Sequence, residues 1–314
     1  MTFRILSIDG GGIRGVYPAH ILKCIEERLE INLLETVDMI AGTSTGSIVA
    51  AGVACDVRAK EIEEMYQQHG KAIFKKKRSY IPGKKLRNAF QPMQESIYDS
   101  ENLYAVLSGV FGDVTLGEID KPLLLPATDI GNGNVHVFKS RYSAEFTRDP
   151  KVKLKDAVLA SCSAPTFFDP HRVDAYLLSD GGLWANNPAL AAVIDAQKRL
   201  EIPLNEIRVL SLGTGHAKTA YGLKQGRRWG FATGWKHKEF INFLLSLQSQ
   251  SAMNYLNQQL EPQQILRIDF ESDSSLPLDD VDAIDDLISR ADKHFTYRSS
   301  EIRQFLCSDQ AGGG

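Results

Sequence analysis

The sequence predicts an α/β fold in which helices cover both faces of a mainly parallel sheet. Short apolar strands alternate with amphipathic helices along most of the chain, and two glycine-rich turns each join a strand directly to a helix. Such alternation favours a parallel sheet between helical layers, because parallel strands need crossover connections. With 314 residues, the chain is long enough to bury a large core.

Composition and charge argue against a nucleic-acid-binding, a disulfide-rich or a membrane-spanning protein. Hydrophobic residues make up 43% of the chain and charged residues 24%, and the net charge of -3 gives no overall attraction to a nucleic-acid polymer. The four cysteines are widely spaced, which predicts reduced thiols rather than disulfides. No signal peptide is visible, and no apolar run approaches the roughly 18 residues of a membrane span. We expect a cytoplasmic protein without a metal or cofactor.

The first glycine-rich turn, Asp9 to Gly15, follows a strand over Phe3 to Ile8 and leads into a helix from about Val16 to Leu29. Its Gly-x-Gly-x-x-Gly pattern also matches the fingerprint of dinucleotide-binding folds. A nucleotide-binding dehydrogenase is therefore the first alternative function to consider. A dehydrogenase needs an acid at the end of the second strand to hold a ribose hydroxyl. That strand ends here in Gly42-Thr43-Ser44. We therefore interpret the first turn as an oxyanion hole.

The second glycine-rich turn is Gly42-Thr43-Ser44-Thr45-Gly46. It lies between a strand over Val37 to Ala41 and a small-residue helix over Ser47 to Ala54. A G-x-S-x-G turn between a strand and a helix is the context of a nucleophile elbow, which holds its serine in a strained conformation. The pattern predicts Ser44 as a nucleophile. A simple turn of small residues is the alternative.

The chain continues to alternate beyond this turn. The expected elements are a helix over Arg58 to Gly70, a helix over Ser100 to Val110, a hairpin of Lys121 to Asp129 with Val135 to Lys139, a helix over Leu154 to Ser161, strands over Ala175 to Leu178 and Ile207 to Leu212, and between these two strands a helix ending near Leu200. A helix over Lys236 to Leu260, a strand over Gln264 to Phe270 and a helix over Asp279 to Leu306 follow. We expect one domain over residues 1–310, with the motifs in 3–215 and a helical extension over 216–310.

Asp180 is the candidate base for the serine. It follows the strand that ends near Leu178 and is itself followed by Gly181 and Gly182. A carboxylate in such a turn can approach a neighbouring strand end, and partial desolvation makes it a better base. His216, just beyond the strand that ends at Leu212, is placed for a conventional triad with Ser44 and Asp180, so both arrangements stay open.

Two basic segments lie outside these motifs, over Phe74 to Leu86 and Gly222 to Lys238. Their cations are interleaved with aromatic residues, a combination that suits anionic lipid headgroups or a phosphate-bearing ligand. A solvated loop is the alternative for the first segment. The residues of interest are Lys75, Lys76, Arg78, Arg227 and Arg228.

Taken together, the motifs resemble those of the patatin-like phospholipase family. The resemblance covers about residues 3–215 and includes Asp9 to Gly15, Gly42 to Gly46, Ala164 to Phe168, Asp180 to Gly182 and Asn186 to Pro188. It implies a three-layer α/β/α patatin-like fold and a lipid acyl hydrolase that cleaves membrane phospholipid esters with a Ser44–Asp180 dyad. The further implied site residues are Gly10, Gly11, Gly12 and Arg14 at the oxyanion hole, with the N–H groups of Gly11 and Gly12 as donors, Gly42 and Gly46 at the elbow, and Gly181 and Gly182 after the acid.

The chain length, the basic insert and the long C-terminal stretch resemble more narrowly the bacterial patatin-like effectors of anti-phage systems. Some of those effectors are switched on by a cyclic dinucleotide such as cyclic GMP–AMP. This resemblance implies such an activator and action at the inner face of the membrane, and it leaves a homo-oligomer open. A non-catalytic or nucleotide-binding α/β protein that uses the GxGxxG turn is the alternative.

Overall fold

A computed structural model of the chain describes residues 2–77, 95–217, 229, 237–274 and 276–308. Its helices are α1 (Val16–Leu29), α2 (Leu33–Thr36), α3 (Thr45–Ala54), α4 (Ala59–Ile73), α5 (Ser100–Phe111), α6 (Leu154–Cys162), α7 (Gly182–Ala185), α8 (Ala189–Arg199), α9 (His237–Gln259) and α10 (Ile284–Cys307). Its strands are β1 (Phe3–Ile8), β2 (Met39–Gly42), β3 (Leu123–Asp129), β4 (Asn134–Lys139), β5 (His171–Val173), β6 (Tyr176–Asp180), β7 (Ile207–Leu212), β8 (His216–Ala217), β9 (Ile265–Ile268) and β10 (Glu271–Ser272).

Within the described residues, one sheet of eight strands forms the centre of the fold. Its order is β5-β6-β3-β2-β1-β7-β9, and β4 pairs with the opposite edge of β3. The run from β3 through β2, β1 and β7 to β9 is parallel, whereas β4, β6 and β5 add antiparallel pairings. The sheet is therefore mainly parallel, as the alternating pattern predicts, with an antiparallel end.

Helices cover both faces of this sheet. Alternate side chains of a strand point to opposite faces, so Ile5 and Leu6 of β1 belong to different cores. Ile5 packs in a cluster with residues of α8 and the end of α9. Leu6 packs in the larger cluster with residues of α1, α3, α4 and α10. The architecture is three-layered, α/β/α, which confirms the expected fold class.

Two strands approach each other end to end along one edge of β3. β2 runs parallel to β3, pairing Ala41 with Leu124, while β6 runs antiparallel to it, pairing Asp180 with Ala127. Both strands therefore point toward the same stretch of β3 from opposite directions. This topology brings the turn after β2 close to the last residue of β6.

The C-terminal stretch contributes to the same layers as the first 215 residues. β9 extends the sheet beside β7, and α10 packs against α1. The last helix begins at Ile284, five residues later than the acidic run predicts, because the Asp280 carboxylate accepts a hydrogen bond from the Asp282 N–H and caps a short 3-10 turn first. No helix in the described ranges is both long and apolar enough to cross a bilayer.

Candidate active site

Ser44 stands in a strained turn between β2 and α3. Its backbone has φ 54° and ψ -127°, a conformation that side-chain-bearing residues rarely adopt. A Cβ on Gly42 would lie 2.1 Å from the Gly46 carbonyl oxygen, and one on Gly46 would lie 2.4 Å from the Ile8 carbonyl oxygen. Only glycine fits at either position, so these two residues allow the chain to form a nucleophile elbow.

Hydrogen bonds hold the elbow in place. The Ser44 N–H donates to Ser161 Oγ at 3.0 Å, and the Ser161 hydroxyl donates to the Pro126 carbonyl at 2.6 Å. The Ser44 carbonyl accepts from the N–H and the hydroxyl of Ser47. These bonds fix the serine backbone at the N-terminus of α3, where the helix dipole favours a developing negative charge.

Asp180, the last residue of β6, is buried beside the elbow. Its Oδ1 accepts from the Gly182 N–H at 2.7 Å, while Oδ2 is buried without a hydrogen-bond partner. Burial raises the pKa of Asp180 to about 6, although a hydrogen bond from the Ser44 hydroxyl acts in the opposite direction. In a serine hydrolase this contact tightens when substrate binds, because catalytic hydrogen bonds are commonly long in the free enzyme. Asp180 is therefore buried beside Ser44 and has a pKa above that of an exposed aspartate.

The first glycine-rich turn borders the same pocket. Gly11 and Gly12 line it together with Ser44, and no hydrogen-bond partner of either N–H lies among the described residues. Gly10 donates its N–H to the Asn186 carbonyl at 2.9 Å, and Arg14 donates from its backbone N–H and its Nε to the Gly11 carbonyl. Gly10 and Arg14 therefore support the turn, while Gly11 and Gly12 face the pocket.

This turn is packed against protein rather than open to a dinucleotide. Gly12 has φ 61°, and a Cβ there would lie 2.2 Å from the Leu278 carbonyl oxygen. The same carbonyl accepts the Ile13 N–H at 2.8 Å, and a dinucleotide-binding turn would offer that group to a pyrophosphate. The arrangement favours an oxyanion hole over a nucleotide cradle.

His216 is not part of the Ser44 pocket. It lines a neighbouring polar pocket, where its Nδ1 lies 3.7 Å from Asp269 Oδ2. None of the histidines whose side chains the structure describes lines the pocket that holds Ser44 and Asp180. The structure brings Ser44 together with the aspartate and not with this histidine.

The pocket beside Ser44 is lined mainly by apolar side chains. Its cavity volume is about 140 Å³, and aliphatic and aromatic side chains of five helices and the loop before β5 form its wall. Helix α9 covers one side. The lining includes Ile48, Tyr66, Ile73, Phe74, Leu103, Phe167, Phe168, Leu183, Ile241, Leu244 and Leu245. A hydrocarbon chain suits such a wall, because its burial there removes apolar surface from water.

The sequence model of the family described as Patatin-like phospholipase matches residues 6–193. This range is more than half of the chain, and it contains both Ser44 and Asp180. The chain belongs to the patatin-like phospholipase family. The resemblance read from the motifs is confirmed.

Relatives at moderate identity cover most of this patatin-like chain. A cGAMP-activated phospholipase of Escherichia coli is 30% identical over 88% of the chain and 80% of its own length. One of Vibrio cholerae is 32% identical over 67% of the chain, and the matched part spans 64% of that relative. A cUMP-AMP-activated phospholipase of Escherichia coli is 28% identical over 96% of the chain and 93% of its own length.

A buried ion network anchors the first turn of the patatin-like domain, and the motifs gave no sign of it. Arg267 of β9 binds both carboxylate oxygens of Asp9 at 2.7 and 2.8 Å, and donates to Asp269 at 2.7 Å. Burial alone raises the pKa of Asp269, but the Arg267 guanidinium outweighs it and keeps that pKa below its ordinary value. Ser249 of α9 donates to Asp9 at 3.0 Å. The turn is thereby tied to β9 and α9.

Removal of Arg267 is expected to destabilise the fold strongly. Arg267→Ala leaves the Asp9 carboxylate buried without its partner, and breaking a buried pair in this way costs about 3–5 kcal/mol. Equilibrium urea unfolding measures the loss. Arg303→Ala, at an exposed position on α10, is the matched control and should change stability by less than about 0.5 kcal/mol. Equal effects of the two variants would contradict the anchoring role of the network.

The predicted basic contacts are described only in part. Lys75 and Lys76 are exposed directly after Phe74, whose ring lines the apolar pocket. Arg78, Arg227 and Arg228 lie outside the described residues. The two described lysines thus stand beside the pocket on the side of α4, and contact of these cations with an anionic surface stays a prediction.

Proposed function

We propose that this chain hydrolyses acyl esters of membrane phospholipids through a covalent intermediate on Ser44. The observation that carries the proposal is the meeting of Ser44, on a strained elbow, with the buried Asp180 at the edge of an apolar pocket. An elbow presents a nucleophile, the aspartate supplies a base, and the pocket suits an acyl chain.

The steps follow from the placement of these groups. Ser44 Oγ attacks the ester carbonyl while Asp180 accepts its proton, and the N–H groups of Gly11 and Gly12 hold the oxyanion. The tetrahedral species expels the alcohol, which takes the proton from Asp180, and the acyl group remains on Ser44. Water then attacks the acyl-enzyme by the same route and releases the fatty acid.

We further propose that a cyclic dinucleotide activates the enzyme and that it acts at the inner face of the membrane. Support comes from relatives named as cGAMP-activated and cUMP-AMP-activated phospholipases, one of them 28% identical over 96% of the chain. Dependence on an activator would keep the phospholipase inactive until the ligand binds. Without such control the enzyme would attack the membrane of its own cell. A homo-oligomer stays a prediction.

A second pocket offers a route for such control. This pocket is lined mainly by polar and charged residues. It adjoins the apolar pocket beside Ser44 and shares Asn186 and Leu245 with it. Helix α9 lines both cavities, contributing Ser246 and Gln250 to the polar one and Leu244 to the apolar one. A ligand that moves α9 from the polar side would therefore change access to Ser44.

The test is fatty-acid release from anionic phospholipid vesicles, measured with a panel of cyclic di- and trinucleotides. We expect slow release until one member of the panel is added. Full activity that no member changes would remove the activator and leave a constitutive lipase. No release under any condition, together with tight NAD binding, would favour the nucleotide-binding alternative.

The basic segment is tested in the same assay. Lys75→Glu with Lys76→Glu is expected to weaken vesicle binding by about tenfold or more, because each lysine near an anionic surface contributes about 1 kcal/mol. The effect should shrink as salt rises. Reversal of two exposed lysines elsewhere, Lys151 and Lys198, is the matched control. If both double variants bind vesicles equally well, the segment does not dock on lipid.

A further inference from the structure

We infer that α1 and α10 form a site for a transition-metal ion of the zinc type, away from the catalytic pocket. The ligands are His20 and Cys24 of α1 and Asp292 of α10. Their donor atoms all lie within 4.8 Å of one another. His20 and Cys24 are four residues apart and therefore share one face of the helix.

The donor atoms lie near the spacing that tetrahedral coordination requires. Zinc bonds to imidazole nitrogen, thiolate sulfur and carboxylate oxygen place two ligands about 3.4–3.6 Å apart. His20 Nε2 and Asp292 Oδ1 are already 3.6 Å apart. The other separations do not exceed 4.8 Å, so each would contract by at most about 1.4 Å when the ion binds.

One ring nitrogen of His20, which lies 3.6 Å from Asp292 Oδ1, makes no hydrogen bond and is free to bind an ion. The His20 side chain is only 8% exposed, and its Nε2 is buried without a hydrogen-bond partner. Its other ring nitrogen, Nδ1, is 2.5 Å from Glu63 Oε2. A histidine that binds a metal usually donates its second N–H to a carboxylate in this manner, which directs the free lone pair at the ion.

The donor set selects the kind of ion. Thiolate, imidazole and carboxylate together suit zinc and related first-row metals rather than magnesium or calcium. Cys24 is 2% exposed, while Asp292 is open enough to leave an entry path and room for a water as fourth ligand. Arg28 also donates to Asp292 Oδ1, so this carboxylate is shared between the guanidinium and the ion.

A metal here would link the two helices that support the oxyanion turn. α1 begins directly after that turn, and the segment before α10 supplies the Leu278 carbonyl to Ile13 and the Leu276 carbonyl to Arg14. Cross-linking α1 to α10 therefore stabilises the frame of the turn without touching Ser44. The role is structural.

Cobalt(II) titration of the purified, chelator-treated full chain tests this site. We expect one cobalt per chain, with visible d–d bands and a thiolate-to-cobalt charge-transfer band, both removed by stoichiometric zinc. Cys24→Ser should abolish the charge-transfer band. Glu63→Gln should weaken binding about 10–100-fold by loosening the His20 ring. Cys55→Ser and Cys307→Ser, which alter thiols outside the cluster, should bind as the parent chain does.

Two further measurements distinguish a loss of metal binding from a loss of folding. Asp292→Asn, at a half-exposed position, keeps the core packing and should still lower cobalt affinity at least about tenfold. The melting temperature of the parent chain should rise with zinc, and that of Cys24→Ser should not. Absence of stoichiometric metal, or a cobalt spectrum that Cys24→Ser leaves unchanged, would show instead a metal-free cluster in which a protonated His20 bridges Glu63 and Asp292.

Discussion

Ser44→Ala is expected to reduce phospholipid hydrolysis by at least about 10³-fold, because it removes the group that forms the covalent intermediate. The fold should persist. Alanine keeps the backbone bond to Ser161 Oγ and the carbonyl bonds from Ser47, all of which use main-chain atoms of residue 44. Initial rates of fatty-acid release, compared with the parent chain at equal activator, give the ratio.

The matched variant for this comparison is Ser161→Ala. It removes a hydroxyl that positions Ser44 but is not itself a nucleophile, so a smaller loss in kcat is expected. Reaction with a fluorophosphonate should persist in Ser161→Ala and vanish in Ser44→Ala. If both variants lost turnover equally and both still reacted with the probe, another residue would be the nucleophile.

Asp180→Asn is expected to lower turnover by about 10²–10⁴-fold, because an amide cannot accept the serine proton. Burial raises the pKa of Asp180 to about 6, so the active carboxylate form should be lost as the pH falls through about 6. The kcat/KM profile of the parent chain should therefore rise across this range. In Asp180→Asn the residual activity should lack that limb.

Stability separates this loss from misfolding. Folding raises the pKa of Asp180, so its contribution to stability is favourable at low pH and is lost as the pH rises through about 6. At neutral pH, Asp180→Asn is therefore expected to keep the free energy of unfolding or increase it, by up to about 3 kcal/mol.

His216→Ala should change kcat little. A loss in His216→Ala equal to that in Asp180→Asn would favour the conventional triad.

Much of the fold follows from local pattern. The strand Ile207–Leu212 and the helix Val16–Leu29 have the bounds that their apolar periodicity predicts. The three-residue strand β5 was not predicted, because so short a segment has no readable alternation and forms only by pairing with β6. The antiparallel end of the sheet likewise depends on contacts between distant segments.

Part of the candidate site could likewise be predicted from local sequence, and part depends on distant contacts. Ser44 and Asp180 could be named because their glycine neighbours are local in sequence: Gly42 and Gly46 lie around Ser44, and Gly181 and Gly182 follow Asp180. Arg267 could not, since its partner Asp9 lies 258 residues away in the sequence. The packing of α9 over the pocket and the approach of Asp292 to His20 and Cys24 could not be predicted either. Helical periodicity shows which face of a helix is buried, but not which element packs against that face.

An acyl-enzyme on Ser44 is the most direct test of the central claim. Activated enzyme is mixed with excess phospholipid, quenched in acid within the first turnover, digested and examined by mass spectrometry. The proposed mechanism predicts a fatty-acyl ester on the peptide that contains Ser44, accumulating further in Asp180→Asn if deacylation is the slower step. An acyl group on another residue, with none on Ser44, would contradict it.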